Sequence, residues 1–346
     1  MSAAQKRNAA LCLCAFTILT ACAGHQQSVV DPTGPQAGRI ATLFWFFTWL
    51  LAAVFVIVLA LALWTLTRRH RGIEQQPLEI THLPSEHTEK KLARIVTAAT
   101  VATVVILFVL LISSVVTGKA VADLGNAQKP MVIELTGNQW WWQIQYDNPD
   151  TSRILVTANE IHIPVGRPVE ILGKSNDVIH SFWVPNLHGK RDLVPSRVTN
   201  EWIQADQPGA FRGQCAEFCG LQHAHMALWV IAEPEAQFDA WLDAQLKPAL
   251  EPSDAIKQRG RQVFLSSACE YCHSIRGTTA AGQVAPDLTH FGSRRGIAAN
   301  TLPNNLGNLG GWIVDPQSIK PGNHMATIAL PSEDLQPLLE YLESLK

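Results

Sequence analysis

Charge is scarce in this chain: Lys, Arg, Asp and Glu make up only 16% of its 346 residues, and 27 basic against 29 acidic residues leave a net charge of −2. A nucleic-acid-binding protein carries a basic surplus, so the balance argues against that class. Cysteine is scarce too, seven in all. Three of the seven fall within the first 22 residues, and the other four come as two close pairs, Cys215 with Cys219 and Cys269 with Cys272. What the chain has in excess is apolar residues, 47% of the total, much of it near the N-terminus. The length allows two or three compact units.

The opening stretch, "MSAAQKRNAALCLCAFTILTAC", has a basic start at Lys6 and Arg7, a short apolar run and small residues before Cys22. That is the layout of a secretory signal peptide, and the run is too short to span a bilayer. Leu19-Thr20-Ala21-Cys22 resembles the lipobox of bacterial lipoproteins, which would make Cys22 the lipidated first residue of the mature chain. Two longer apolar segments, roughly 42–66 and 92–116, are each long enough to cross ~30 Å of hydrocarbon as a helix and read as a transmembrane hairpin. Arg68, Arg69, Arg71, Lys90 and Lys91 lie in or beside the loop between them, which the positive-inside tendency places in the cytoplasm. Everything after Lys119 then lies outside, in agreement with the leader. Trp45, Trp49 and Trp64 read as interfacial anchors. In an oxidising compartment two close cysteine pairs could be disulfides, but their neighbours point elsewhere.

From Met131 to about Pro234 the chain reads as β structure, with runs such as "MVIELTG" and "RPVEILGKS" broken by Gly, Pro and Asn-Asp turns, which predicts a small antiparallel sandwich or barrel. The cluster "CAEFCGLQHAHM" falls between two of its strands. Thiolates, imidazoles and a thioether are ligands for copper or zinc rather than for magnesium or calcium. A closed structural zinc site would use Cys215, Cys219 and two histidines and leave Met226 idle, whereas a blue-copper site needs only one cysteine. Two thiolates one loop turn apart can instead bridge a pair of coppers, which requires a histidine from elsewhere. His180, in "SNDVIHSFWVP", is the candidate.

The run "ANEIHIPVGRPVEILGKSNDVIHSFWVP", the spacing from His180 to Cys215, and the pattern C-x-E-x-C-G-x-x-H-x-x-M resemble the binuclear copper (CuA) domain of cytochrome c oxidase subunit II. The resemblance covers the hairpin and a cupredoxin domain to about Lys247. It implies that Cys215 and Cys219 bridge both coppers, that His180 and His223 each ligate one, that Met226 is a weak axial ligand and that the Glu217 carbonyl is another. It further implies that the Glu217 carboxylate binds a magnesium ion at the interface with the catalytic subunit. In "GNQWWWQIQY" it makes Trp140 the point where electrons from cytochrome c arrive, while Trp141 and Trp142 read as sheet-packing aromatics. His162, His188 and His225 have no place in the pattern and read as packing or surface residues.

Cys269-Glu-Tyr-Cys272-His273 is the c-type haem attachment pattern, in which both thiols bond the haem and the histidine ligates the iron. A helical run precedes it from about Ser253, and "PSEDLQPLLEYLESLK" closes the chain as an amphipathic helix. This last hundred or so residues resemble a class I cytochrome c domain. The resemblance makes Met325, in "KPGNHM", the second axial ligand and has the Pro286 carbonyl orient His273. The proline-rich "LKPALEPSD" is the expected boundary.

The expected architecture is therefore multidomain: a signal peptide with lipobox (1–22), a two-helix transmembrane hairpin (41–118), an all-β cupredoxin-like Greek-key barrel with CuA (119–248) and an all-α cytochrome c domain with covalent haem c (249–346). Together these resemble subunit II of the caa-type cytochrome c oxidases. Such a chain passes electrons from an external donor such as cytochrome c to subunit I, which reduces oxygen and pumps protons, with subunit III alongside. It would sit in the bacterial inner membrane with both redox domains on the periplasmic side. The chain lacks the histidine-rich transmembrane helices that would hold the oxygen site, so the resemblance makes it a subunit of an enzyme and not the seat of the reaction. Where the family often places a glutamate at the mouth of a proton channel, this chain has Ala93. A membrane-tethered carrier feeding another reductase, such as a copper-containing nitric oxide reductase, would use the same two centres.

Overall fold

The computed structural model describes residues 26–69, 85–123 and 130–346. The leader with Cys22 and the loop residue Arg71 lie outside the described residues. Helices α1 (Pro35–Arg69) and α2 (Glu86–Ala122) are each long and apolar enough to cross a membrane. Their large side chains, among them Trp49, Phe55, Val56 and Phe108, stand exposed, an apolar surface that a water-soluble domain does not leave open. Ser85 caps α2, its side chain accepting from the Thr88 amide.

The β region forms two five-stranded sheets. One has the order β3 (Leu155–Ala158), β2 (Trp141–Tyr146), β1 (Met131–Asn138), β5 (Val169–Ser175), β8 (Thr199–Ile203). The other runs β4 (Glu160–Pro164), β10 (Ala227–Glu233), β9 (Gly209–Cys215), β6 (His180–Trp183), β7 (Lys190–Leu193). Alternate residues point inward: Ile133 and Leu135 from β1, Trp142 and Ile144 from β2, Ile171 from β5, Phe182 from β6 and Val230 from β10 are buried together. Each such aliphatic side chain contributes about 1.5–3 kcal/mol by leaving water. The expectation of a purely antiparallel sandwich is corrected, because β1 pairs with β5 and β4 with β10 in parallel. Parallel neighbours need a crossover instead of a hairpin. The chain supplies one by leaving the first sheet after β3, with Asn159 at φ 62°, running through the second sheet as β4, and returning as β5 beside β1.

Residues just before α1, and its first turn, are tied to this sandwich. The Thr33 amide donates to the Asn186 carbonyl at 2.8 Å, the Ala37 amide to Leu187 at 3.1 Å, and the Gln36 side chain to Trp202 at 3.2 Å. Helix α3 (Glu235–Gln245) closes the β region, with Phe238 buried in its core.

A second core follows, built from α4 (Ala255–Ser266), the single turn α5 (Cys269–Cys272), α6 (Leu306–Val314), the turn α7 (Pro316–Ile319) and α8 (Ser332–Ser344), with a short hairpin β11 (Gly296–Ile297) and β12 (Leu302–Pro303). Val263 and Phe264 from α4 meet Leu338, Tyr341 and Leu342 from α8. The two helices cross so closely at Gly260 that a Cβ there would stand 2.0 Å from the Pro337 carbonyl oxygen. Only glycine permits that approach.

Candidate metal centre

His180 opens β6 directly after the turn around Asp177, and Cys215 ends β9, the strand beside it; Phe182 and Cys215 are in register. Cys219, His223 and Met226 lie on the loop that returns to β10. The fold thus brings all five side chains to one end of the sandwich. The Sγ atoms of Cys215 and Cys219 are 3.8 Å apart. Cys215 faces His180 Nδ1 at 3.8 Å and the Glu217 carbonyl at 3.2 Å, while Cys219 faces His223 Nδ1 at 3.6 Å and Met226 Sδ at 3.9 Å. His180, Cys215, Cys219 and Met226 are all buried.

The donor geometry is held from behind. His180 Nε2 lies 2.7 Å from Asp177 Oδ1, which leaves Nδ1 for the sulfurs, and Asp177 Oδ2 accepts from the Gln139 amide at 2.6 Å. Gly137 makes room for the His180 ring, since a Cβ there would come within 2.6 Å of Cδ2. The Cys219 carbonyl accepts from both the Trp140 indole at 2.9 Å and the Gln139 amide side chain at 2.7 Å. The Cys215 amide donates to the Met226 carbonyl at 2.9 Å.

The electrostatics suit a cation. Burial alone would lower the His180 pKa, but hydrogen bonds to Cys215 and Asp177 outweigh it and raise the value. The two thiols titrate as a coupled pair: their mutual hydrogen bond eases loss of the first proton and hinders loss of the second, so Cys215 is pushed down and Cys219 up. A soft cation would relieve two thiolates held together. The donor set fits copper on that ground.

The second donor set lies in the helical half. Cys269 and Cys272 bracket α5, and His273 follows with Nδ1 2.7 Å from the Pro286 carbonyl. A carbonyl only accepts, so Nδ1 carries the proton and Nε2 keeps its lone pair for a ligand. Burial lowers the His273 pKa and keeps the ring neutral. Met325 is partly buried against the same core, its amide donating to Asn323 Oδ1 at 2.7 Å and its carbonyl accepting from Gln317 at 3.0 Å. Two thiols, a neutral imidazole held from behind and a tethered thioether are a donor set that fits a covalently attached haem.

The side chains of the histidines outside the pattern find other partners. His162 stacks on Trp241 at 3.9 Å, His188 lies 3.1 Å from Glu201, and His225 pairs with Gln222 at 2.7 Å. The three adjacent tryptophans separate: Trp142 is in the core, Trp141 is half-buried on the sheet, and Trp140 lies on the metal loop. Asp177, Gln139 and Lys320 take part in the arrangement without having been singled out by sequence. Only the Asn-Asp turn before His180 hinted at the first.

The fold and the two donor sets define a class: a cupredoxin-like domain with a soft-metal loop, joined to a cytochrome c domain and preceded by two apolar helices. Residues 148–233 match the family model for the periplasmic domain of cytochrome c oxidase subunit II, and residues 257–346 match that for cytochrome c. Subunit 2 of cytochrome c oxidase from Alkalihalophilus pseudofirmus is 36% identical over 337 residues, which span 95% of this chain and 94% of the relative. The Bacillus subtilis subunit 2 is 29% identical over 265 residues, spanning 71% of this chain and 73% of the relative. The crystal structure of the periplasmic domain of subunit II (CoxB) of Bradyrhizobium japonicum is 29% identical with a TM-score of 0.32, covering 34% of this chain and 95% of that one. The chain belongs to the cytochrome c oxidase subunit 2 family, in a form that carries its own cytochrome c domain. It is thus a subunit of an oxidoreductase, a cytochrome c oxidase. The family implies copper in the first donor set and haem c in the second.

Proposed function

We propose that this chain receives electrons from an external donor such as a cytochrome c and delivers them to subunit I, where oxygen is reduced and protons are pumped, in a complex that also contains subunit III. When bound, the haem and the copper pair supply reversible one-electron chemistry at two fixed points. Cys269 and Cys272 would bond the haem covalently, with His273 and Met325 as donors to its iron. Cys215, Cys219, His180 and His223 would hold the two coppers, with Met226 and the Glu217 carbonyl as weaker donors. The Glu217 carboxylate is left for a magnesium ion at the subunit I interface. Trp140 is the electron-entry residue of the copper domain.

One observation carries the two-copper reading. Each sulfur has its own imidazole, and the atoms of His180, Cys215 and Cys219 that lie within 4.8 Å of one another form a set to which His223 does not belong. Ligand atoms on a single zinc lie at most about 4.6 Å apart, twice the Zn–S bond, so the four donors do not close on one ion as they stand.

The rest of the reading follows the sequence: a leader at 1–22 with Cys22 lipidated, a membrane hairpin at 41–118, the copper domain at 119–248 and the cytochrome domain at 249–346. The chain would be anchored in the bacterial inner membrane with both redox domains outside. The test is copper and haem content with optical and paramagnetic resonance spectra on the purified full-length chain. Two coppers sharing one unpaired electron, plus one covalent haem, are expected; a single copper or a zinc in the loop would overturn the reading.

A further inference from the structure

The two donor sets are carried by two cores, and among the residues that tie them together the most buried cation is Lys320 of the turn before Met325. Lys320 is only 3% exposed, yet among the described residues no carboxylate pairs with it. Instead Nζ donates to three backbone carbonyls: Trp140 at 3.0 Å, His225 at 2.8 Å and Ala298 at 3.1 Å. An ammonium has three protons and accepts nothing, so its donors are fully used. Burial presses the Lys320 pKa down to about 7, and the Cys219 sulfur acts in the opposite direction. A lysine that merely ended α7 would spend its ammonium on the carbonyls of that turn. This one reaches across to the β1–β2 turn and to the metal loop, with the third bond going to the cytochrome domain's own hairpin.

Other contacts surround it. Gln222, next to His223, donates to the Pro321 carbonyl at 2.7 Å, Asn300 donates to the Asn159 carbonyl at 3.0 Å, and the Ala227 amide donates to Ala299 at 3.2 Å. Beneath them Trp140 is 7% exposed, with the His324 ring 5.7 Å away and its own indole on the Cys219 carbonyl. His324 precedes Met325, so the segment carrying the proposed iron ligand lies over the tryptophan that touches the metal loop.

We infer that Lys320 is a positioning residue: its ammonium locks the cytochrome domain onto the copper domain with the Met325 segment against Trp140, and so closes the Trp140 face to any outside protein. A protein donor must then dock on the cytochrome domain. The inference rests on the electron-transfer reading for its purpose, but the lock itself does not.

The first test is lysine-selective acetylation of the purified oxidase, read at each lysine by mass spectrometry. Lys320 should be modified at least about 100-fold more slowly than the exposed Lys190, because it becomes reachable only when the contact opens. Comparable rates would overturn the lock. The second is Lys320→Met in the assembled complex, which keeps the apolar stem and removes the ammonium. Electron transfer from haem to copper within the chain should slow by about tenfold or more, with both sets of spectra unchanged, and a soluble cytochrome c should gain direct access to the copper centre. An unchanged internal rate would overturn the inference. If this variant does not accumulate, the acetylation of the unaltered chain decides. Loss of the two-copper signal in the unaltered chain would instead sink the electron-transfer reading while leaving the acetylation result to stand.

Discussion

Asp177 offers the sharpest way to probe the copper loop without touching a ligand. Its carboxylate holds His180 Nε2 at 2.7 Å and the Gln139 amide at 2.6 Å, so it fixes both the tautomer and the tilt of the ring whose Nδ1 faces Cys215. Asp177→Ala frees the ring to rotate and removes a negative charge behind a metal-bound imidazole. Partners of this kind are worth about 10- to 100-fold in metal affinity, or about 1.4–2.7 kcal/mol. Asp177→Asn, which can still accept one bond, should lose less. The Asp177 side chain is 28% exposed, so solvent shares its bonds and the apoprotein should lose no more than about 1 kcal/mol of stability. The assay is a competitive copper titration of the full chain against a chelator, with thermal melting of the metal-free form alongside. Unaltered affinity and spectra in Asp177→Ala, with His180→Ala strongly impaired, would refute the claim that the ring needs this support.

Cys219→Ser should abolish the signal of an electron shared over two coppers, not merely weaken metal binding, because it removes one of the two sulfurs proposed to bridge them; paramagnetic resonance would read it directly. Gly260→Ala should prevent the cytochrome core from closing, since the new Cβ meets a backbone carbonyl at 2.0 Å and neither helix can yield that much without losing packing worth several kcal/mol, of order 3 or more. Covalent haem yield measures it. Glu201→Gln tests a buried acid: burial raises the Glu201 pKa, and His188 Nδ1, 3.1 Å away, is already engaged by the Gly189 amide at 2.6 Å. The native state therefore holds that proton more tightly than the unfolded chain does. Stability should fall as pH rises from the ordinary carboxylate range, about 4.3, through the raised folded value, and the Gln variant should lack this slope in melts run at pH 4.5 and 8.

The proposed ligand side chains stood out in the sequence because their chemistry is concentrated: five soft donors fall in or beside one loop, and thiol, imidazole and thioether have few other reasons to be neighbours. The β runs and the closing helix were legible from periodicity for the same local reason. What supports the ligands was not. Asp177 looked like half of a turn, and its role depends on a ring three residues on pointing back at it. The parallel pairing of β1 with β5 and of β4 with β10 depends on where the chain changes sheets, at Asn159, and a single residue at positive φ leaves no pattern. The ties of residues 33–37 to the sandwich left no signal in the sequence, because several of them run from backbone to backbone, which composition does not record. Lys320 was hidden differently. It belongs to a segment already explained by Met325, and its partners lie 180, 95 and 22 residues away.

The loop between β9 and β10 has one property that joins these observations. Its donor side chains turn inward to the metal site, while several backbone carbonyls in and beside it are engaged from outside: Cys219 by Trp140 and Gln139, His225 by Lys320, Ala227 by Asn300 at 3.4 Å. Each of these bonds costs nothing in metal affinity, yet each removes a way for the donors to move. A centre that passes electrons works best when its ligands hold the same positions in both oxidation states, and a loop free to relax would follow the charge. The bonds that stiffen the loop are partly those that seat the cytochrome domain. Undocking that domain should therefore loosen the metal loop as well as lengthen the path to it. In Lys320→Met, hydrogen exchange should rise at the amides of residues 215–226 and not only at the contact itself; a rise confined to the cytochrome side would mean that the loop is rigid without its partner.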